Sequence, residues 1–397
     1  MASNLGTSAA PSPPTRPEAE GSRIRVTHVI TGLTVGGAEM MLARLISALG
    51  PTVENHVICL SAGGGGVADR LRAMGVRVDA LELPPNFRAL LGLPRLVRLL
   101  RELRPHVVHT WLYHADLLGG LAAKSCGIPV IWGLHSATLD AAYLGASTAR
   151  LIRILARLSR VVPTRIVSCS EAGLRAHRDG GYHSKRLSVI QNGFDTDRFR
   201  PDPQLRDEAR RAWGFTRDEI VVGHIARFNP LKDHATFFAA AGIAFEREPR
   251  LRFVLYGDRV TPHNETLMRW AREAGILGVC SLLGPEPTVE RRLPGFDLLV
   301  SSSVSEAFPL VLGEAAACGV LSVATDVGDS RAIVGDASRV VPASDPLALA
   351  HAIVRTVQLS ATERTAFADA GIQRMRDQFA LSRVAERFRA LYLELAR

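Results

Sequence analysis

Apolar positions along the chain fall into short β-branched runs separated by longer stretches with helical spacing. The first run, Ile24–Ile30 (IRVTHVI), stops at Thr31-Gly32. Gly36-Gly37 follow, and Ala38–Leu49 carries a helical pattern. The alternation predicts further strands at Val53–Leu60, Val76–Leu83, His106–Thr110, Pro129–Leu134, Arg165–Cys169 and Leu187–Ile190. Helices are expected near 91–103, over Ala115–Cys126, near 147–160 and from Glu171. The pattern breaks at 191–218, where Asn192-Gly193 is a turn signal and Arg198–Arg211 is polar with Pro201 and Pro203, so this stretch reads as a hinge. It then restarts, with strands Ile220–Ile225, Leu251–Tyr256, 279–283, Phe296–Ser301 and Val320–Ala324 and helices 232–247, 263–274 and 309–318. The remainder is mostly helical, and Phe379, Val384, Phe388, Leu391, Tyr392 and Leu395 give the last helix one apolar stripe.

Strands separated by helices of this length imply right-handed βαβ crossovers and parallel sheets covered on both faces. The expectation is an α/β protein of two doubly wound domains, 23–200 and 201–378, facing each other across a cleft, with a closing helix at 379–397. Ligands in such sheets sit outside the carboxyl ends of the strands, so candidate chemistry belongs in the loops that follow them.

Composition narrows the class. Of 397 residues, 47% are hydrophobic and 22% charged, which is enough apolar surface for packed cores. No apolar run approaches the roughly 20 residues of a membrane span. The five cysteines are far apart and none forms a C-x-x-C pair, which fits a reducing cytoplasm better than a disulfide framework or a cysteine zinc site. Residues 1–22, small and Pro-rich, read as a disordered tail rather than a secretory signal.

The net charge is +9, and the basic excess lies wholly in the first half. Arg95, Arg98, Arg101 and Arg104 form one basic stripe; Arg150, Arg153, Arg157 and Arg160 form another. Either stripe suits an anionic membrane surface or the solvated face of an ordinary helix. No groove-reading motif or aromatic platform accompanies them, which argues against nucleic acid. The localisation expected is cytoplasmic, or peripheral at the inner face of the membrane.

Several loops carry polar groups at strand ends. The segment T-G-L-T-V-G-G-A-E places Gly36 and Gly37 just before a helix, where backbone amides approach an anion. His135 follows the fifth strand. In the second half, Arg227 ends a strand and Lys232 stands near a helix start, a cation pair suited to a diphosphate. The segment Ser305-Glu306-Ala307-Phe308-Pro309-Leu310-Val311-Leu312-Gly313-Glu314 follows a strand. Pro309 is expected in the first helical turn, which leaves the amides of Phe308, Leu310 and Val311 free for phosphate or sugar oxygens. Glu314 then falls inside an apolar helix, where an unpaired carboxylate is costly, so a ligand role is expected for it.

Two glutamates with seven residues between them, set in SEAFPLVLGEAAACGVLSVATDVG, resemble the signature of the retaining family-4 glycosyltransferases of the GT-B fold. Gly36-Gly37-Ala38-Glu39, Val189–Asp195 (VIQNGFD) and the Arg227/Lys232 pair agree in order and spacing. The resemblance implies two Rossmann-like domains with the last helix crossing back to the first. It implies that Arg227 and Lys232 bind the donor diphosphate, that Glu314 holds the ribose hydroxyls, and that Glu306 lies near the donor sugar. It also implies that amides around Phe308–Leu310 hold sugar or phosphate, that Gly37 belongs to a loop approaching the diphosphate or acceptor, and that His135 contacts the donor sugar.

Departures from the family pattern are Ala307 in place of a frequent glycine, Gly328-Asp329-Ser330-Arg331 in place of a double glycine followed by a glutamate, and Gly257-Asp258-Arg259 without a second glycine. The implied reaction is sugar transfer with retention from a nucleotide-diphosphate sugar to a carbohydrate or lipid-linked acceptor. No second carboxylate is evident opposite Glu306, so front-face attack is expected rather than a hydrolase pair. No D-x-D triplet or His/Asp cluster has ligand spacing, so no metal and no other cofactor is expected. A nucleotide-sugar epimerase and a non-catalytic nucleotide-sugar-binding module are the competing readings on the same fold.

Overall fold

The computed structural model describes residues 23–34, 36–84 and 87–397. The tail expected at 1–22 lies outside the described residues, as does Val35 of the first glycine loop. The chain forms two parallel sheets. The first contains β1 (Ile24–Ile30), β2 (Val53–Cys59), β3 (Arg77–Ala80), β4 (Val107–Trp111), β5 (Val130–Leu134), β6 (Arg165–Ser168) and β7 (Leu187–Val189), in the order β3-β2-β1-β4-β5-β6-β7. The second contains β8 (Ile220–Ile225), β9 (Leu251–Tyr256), β10 (Cys280–Leu282), β11 (Leu298–Ser301), β12 (Leu321–Thr325) and β13 (Val340–Val341), in the order β10-β9-β8-β11-β12-β13.

Both orders reverse direction once, between β1 and β4 and between β8 and β11. A crevice opens where the strand order reverses. The registers Ile30↔Trp111 and Leu299↔Gly223 fix which residues flank it. The central strands β4, β5, β11 and β12 are buried along their whole length, because helices cover both faces.

One expectation is corrected. The polar segment taken for a hinge contains a helix, Pro203–Trp213. Asp202 caps it by accepting from the amides of Gln204 and Leu205 at 3.0 Å each. Its buried face combines apolar packing, with Ala209 buried and the Trp213 ring stacked on Phe296 at 5.0 Å, with charge. Arg210 donates to Asp297 Oδ2 at 2.9 Å and to the carbonyls of Thr216 and Glu219 at 2.6 Å each.

The two domains are joined by two strands of chain lying side by side. Phe194 N donates to Phe379 O at 2.8 Å and Leu381 N to Phe194 O at 2.9 Å. The pair is close because residue 193 is glycine: a Cβ there would stand 2.8 Å from Leu381 Cα. Beyond this crossing the last helix, Leu381–Leu395, lays Leu381, Val384, Ala385, Phe388 and Tyr392 into the first domain's core. Each large apolar side chain so buried contributes roughly 1.5–3 kcal/mol. The Tyr392 hydroxyl lies 2.8 Å from His109 Nδ1, which satisfies both buried groups.

Candidate active site

The second domain's crevice is built by loops stitched to one another. Asn229 Oδ1 accepts from Leu231 N at 2.9 Å and shapes the single turn Pro230–Lys232. Val304 N donates to Leu231 O at 2.9 Å, Ser302 Oγ lies 2.9 Å from Lys232 O, and Thr325 Oγ1 donates to Ser303 O at 2.6 Å. These bonds bring the loop after β8 against the loop after β11. Lys232 Nζ consequently donates to Glu306 Oε1, and Ser303 Oγ donates to the same oxygen at 2.8 Å. Lys232, Ser303, Glu306, Pro309, Leu310 and Val311 line a cleft of about 180 Å³, which Gly37 of the first domain also reaches.

The helix behind the cleft runs Leu310–Ala317, and Pro309 is its N-cap rather than part of its first turn. The amides of Leu310 and Val311 are therefore first-turn donors without an intrahelical acceptor. Phe308 also borders the cleft, but its ring belongs to the hinge, 5.8 Å from Phe194 and 5.6 Å from Phe379.

From the first domain, Gly36 caps and Gly37 opens the helix Gly37–Leu49. Gly37 approaches Leu310 across the cleft: a Cβ on Gly37 would lie 4.0 Å from Leu310 Cδ1. Glu39, in the first turn, folds back over Gly36. Burial raises its carboxyl above the ordinary range, while the charge of Arg227 opposes that shift. The first domain thus supplies a carboxylate within electrostatic reach of Arg227, one that reasoning from the sequence did not single out. The signal available was an acidic residue one turn after a double glycine.

The expected site residues do not all converge. Arg227 is exposed at the end of β8, on the Lys232 side. His135 stands just past β5 with its ring stacked on Trp111 at 4.8 Å, and its Nε2 is buried without a hydrogen-bond partner among the described residues. Burial pushes its pKa down to about 4, so the imidazole is neutral at pH 7. It is not among the residues lining the Lys232–Glu306 cleft.

Glu314 is 7% exposed. Its Oε1 accepts from Arg44 Nη2 of the first domain at 2.5 Å, so the carboxylate is paired within the protein. Arg44 is 270 residues away in sequence, which is why no local pattern announces the pair.

Asp329, one of the departures from the family pattern, has a definite task. Its carboxylate accepts from the amides of Glu171 and Ala172 at 3.0 Å each and from Gln191 Nε2 at 2.9 Å. Glu171 and Ala172 open a helix of the first domain, so Asp329 of the second domain adds a cap to it from across the cleft. Its own amide donates to Ala307 O at 3.1 Å, next to Glu306. Preceding it, Gly328 has φ +59°, and a Cβ there would stand 2.4 Å from Glu306 O.

Two facing doubly wound domains, with the last helix returning to the first and a cation–carboxylate cleft between them, define a GT-B protein. The model of Glycosyltransferase Family 4 matches residues 35–198, and that of Glycosyl transferases group 1 matches residues 219–358. Between them the two matches cover both domains, and the chain belongs to the family-4, group 1 type glycosyltransferases.

Among curated relatives, EpsF of Bacillus subtilis (strain 168), named as a glycosyltransferase, is 28% identical over 77% of this chain and 80% of its own. The D-inositol 3-phosphate glycosyltransferase of Thermobispora bispora is 29% identical over 95% of this chain and 90% of its own. Anabaena Alr3699/HepE, solved in complex with UDP-glucose, superposes with a TM-score of 0.81 at 20% identity, covering 94% of this chain and 100% of that one. The glycosyltransferase WaaG, described as involved in lipopolysaccharide biosynthesis, superposes with a TM-score of 0.70 at 15% identity, covering 93% and 99%. No helix among the described residues is long and apolar enough to cross a membrane.

Proposed function

We propose that the protein transfers a sugar, with retention of configuration and without a metal cofactor, from a nucleoside diphosphate sugar to an acceptor hydroxyl. The observation that carries this reading is the cleft at the β8/β11 switch point. There Lys232, Glu306 and the first amides of the helix Leu310–Ala317 converge, facing Gly37. The complex of HepE with UDP-glucose, on the same fold, supports a nucleotide-sugar donor.

In this reading Arg227 and Lys232 take the diphosphate, with Lys232 exchanging Glu306 for phosphate oxygens. Glu306 is thereby released toward the donor-sugar hydroxyls. Glu314 holds the ribose, the amides near Leu310 and Val311 hold phosphate or sugar oxygens, and the Gly36-Gly37 loop closes over them. His135, neutral, donates or accepts a hydrogen bond at a sugar hydroxyl.

The sugar C1–O bond breaks and its electron pair passes to the leaving phosphate oxygen, whose growing charge the fixed cations and amides stabilise. The acceptor oxygen bonds C1 from the same face, and its proton passes to that phosphate oxygen.

The acceptor proposed is a carbohydrate or lipid-linked glycan, and the enzyme is proposed to work at a cytoplasmic membrane surface. Arg150, Arg153, Arg157 and Arg160 are all exposed, with Ile154 exposed between them and Val161 exposed just beyond. No carboxylate among the described residues pairs with any of the four. That combination suits anionic lipid headgroups. The Arg95–Arg104 stripe is less free, since Arg95 donates to Leu81 O at 3.1 Å and Arg98 pairs with Glu102 at 3.4 Å.

The test of the chemistry is NMR of the sugar released during slow donor hydrolysis in chelator. Release first as the donor's own anomer, at an undiminished rate, is expected. The opposite anomer, or loss of activity in chelator, contradicts the mechanism, and a new sugar isomer still attached to nucleotide favours an epimerase. For the surface, Arg150→Glu with Arg153→Glu and Arg157→Glu is expected to release the protein from phosphatidylglycerol vesicles. Unchanged binding removes the membrane from the account.

A further inference from the structure

We propose that Arg44 is a positioning residue for the donor. From the first domain it holds the Glu314 carboxylate of the second domain in place to accept the ribose hydroxyls of the nucleotide. The inference rests on the ribose role given to Glu314 above.

Arg44 lies on the inward face of the helix Gly37–Leu49 and is 7% exposed. Among the described residues its guanidinium makes one hydrogen bond, Nη2 to Glu314 Oε1 at 2.5 Å, and its carbon lies 5.6 Å from the centre of the Phe199 ring. Nη1 is buried with no acceptor among them. A guanidinium kept only for stability would be expected to spend both edges on carboxylate or carbonyl oxygens, because a buried donor left without a partner is costly.

On the other side, Glu314 accepts only at Oε1, and its Oε2 makes no hydrogen bond among the described residues. A carboxylate offers about four acceptor positions, so most of the capacity of Glu314 is unspent. Its position is suitable. Glu314 is one turn beyond Leu310 on the same helix, and residues four apart share a face. Leu310 lines the cleft, so Glu314 stands immediately behind that wall.

Without Arg44, the Glu314 carboxylate loses the partner that fixes its orientation and is free to turn toward water. It then stops presenting a fixed acceptor. Because the two partners come from different domains, the ribose subsite is complete only when the domains are together.

The experiment is calorimetric titration of the full chain with UDP, GDP and ADP, then of the nucleotide that binds against its 2′,3′-dideoxy counterpart. The parent is expected to prefer the ribose form by roughly tenfold to a hundredfold, the range of hydrogen bonds to a charged acceptor. Arg44→Met is expected to collapse that preference to about threefold or less while leaving the dideoxy affinity nearly unchanged, and Arg44→Lys, which can restore one bond to Glu314, to recover part of it. A merely structural role lowers both affinities together and keeps their ratio. An unchanged ratio in Arg44→Met and Arg44→Lys, with Glu314→Gln collapsing it, overturns the proposal alone. A parent that binds none of the three, or binds both forms equally, or a Glu314→Gln variant that keeps the preference, overturns the ribose reading and the proposal with it.

Discussion

Replacing Asp329 by alanine removes three hydrogen bonds at once, because one carboxylate serves the amides of Glu171 and Ala172 and the side chain of Gln191. Asp329 is 5% exposed, so water enters the vacated space only in part. Bonds to a charged acceptor are worth about 1.5–3 kcal/mol each, and partial rehydration of the exposed end of the helix returns much of the sum. The expected net loss is roughly 2–4 kcal/mol, local to the contact between the domains.

Hydrogen exchange reads this directly. At about 1.4 kcal/mol per factor of ten, protection of the Ala172 amide should fall on the order of 30- to 1,000-fold. Asparagine at the same position keeps one acceptor oxygen but turns an NH2 group toward the remaining donors, so it should recover less than half of the loss. Turnover should fall as well, since the Asp329 amide also holds the Ala307 carbonyl beside Glu306. Protection at residues 171–172 within about threefold of the parent in the alanine variant would refute the reasoning.

Three further outcomes are expected. Gly328→Ala forces a Cβ toward the Glu306 carbonyl from a left-handed backbone conformation, so it should cost about 1–3 kcal/mol and lower turnover more than nucleotide affinity, as separate melting and titration measurements would show. Burial holds the pKa values of His28, His135, His177 and His234 down to about 4, below the ordinary 6.5. These imidazoles are neutral when folded and gain protons on unfolding, so stability is full above pH 6.5 and is lost as the pH falls toward about 4. Each adds up to about 1.4 kcal/mol per pH unit in that window, and urea midpoints that stay flat from pH 6.5 to 4.5 contradict this. Gly193→Ala presses on Leu381 and Val384 at the domain crossing and should lower the melting temperature by several degrees; an unchanged melting curve contradicts the close approach there.

Much of the fold was legible because parallel strands covered on both faces must be apolar runs, and the helices between them carry the complementary period. The strand Ile24–Ile30 and the returning stripe on the last helix are of this kind. The helix Pro203–Trp213 was missed because its apolar positions, Leu205, Ala209 and Trp213, are few, and Arg206 and Arg210, which seat it on Asp297, read as solvent-facing charge. The strand Val340–Val341 is too short to show a period at all.

Within the site, the Lys232–Glu306 contact was legible as two motif members whose loops follow neighbouring strands. The pairing of Glu314 with Arg44 was not, although the cost of burying Glu314 correctly demanded a partner. Side-chain pairs between domains depend on how the domains meet, and local spacing carries no record of that. Asp329 likewise showed only as a departure from pattern until the helix that it caps was in view.

Nucleotide binding at the Lys232–Glu306 cleft is the property from which every donor role follows. The measurement is calorimetric titration of the parent, Lys232→Met and Glu306→Gln with UDP, GDP and ADP in metal-free buffer. The parent is expected to bind at least one of them, and Lys232→Met to weaken that binding by about tenfold to a hundredfold. Glu306→Gln, which frees the lysine for phosphate, should bind as tightly as the parent or more so. A parent that binds none of the three nucleotides, or a Lys232→Met variant that binds like the parent, contradicts the placement of the donor in this cleft.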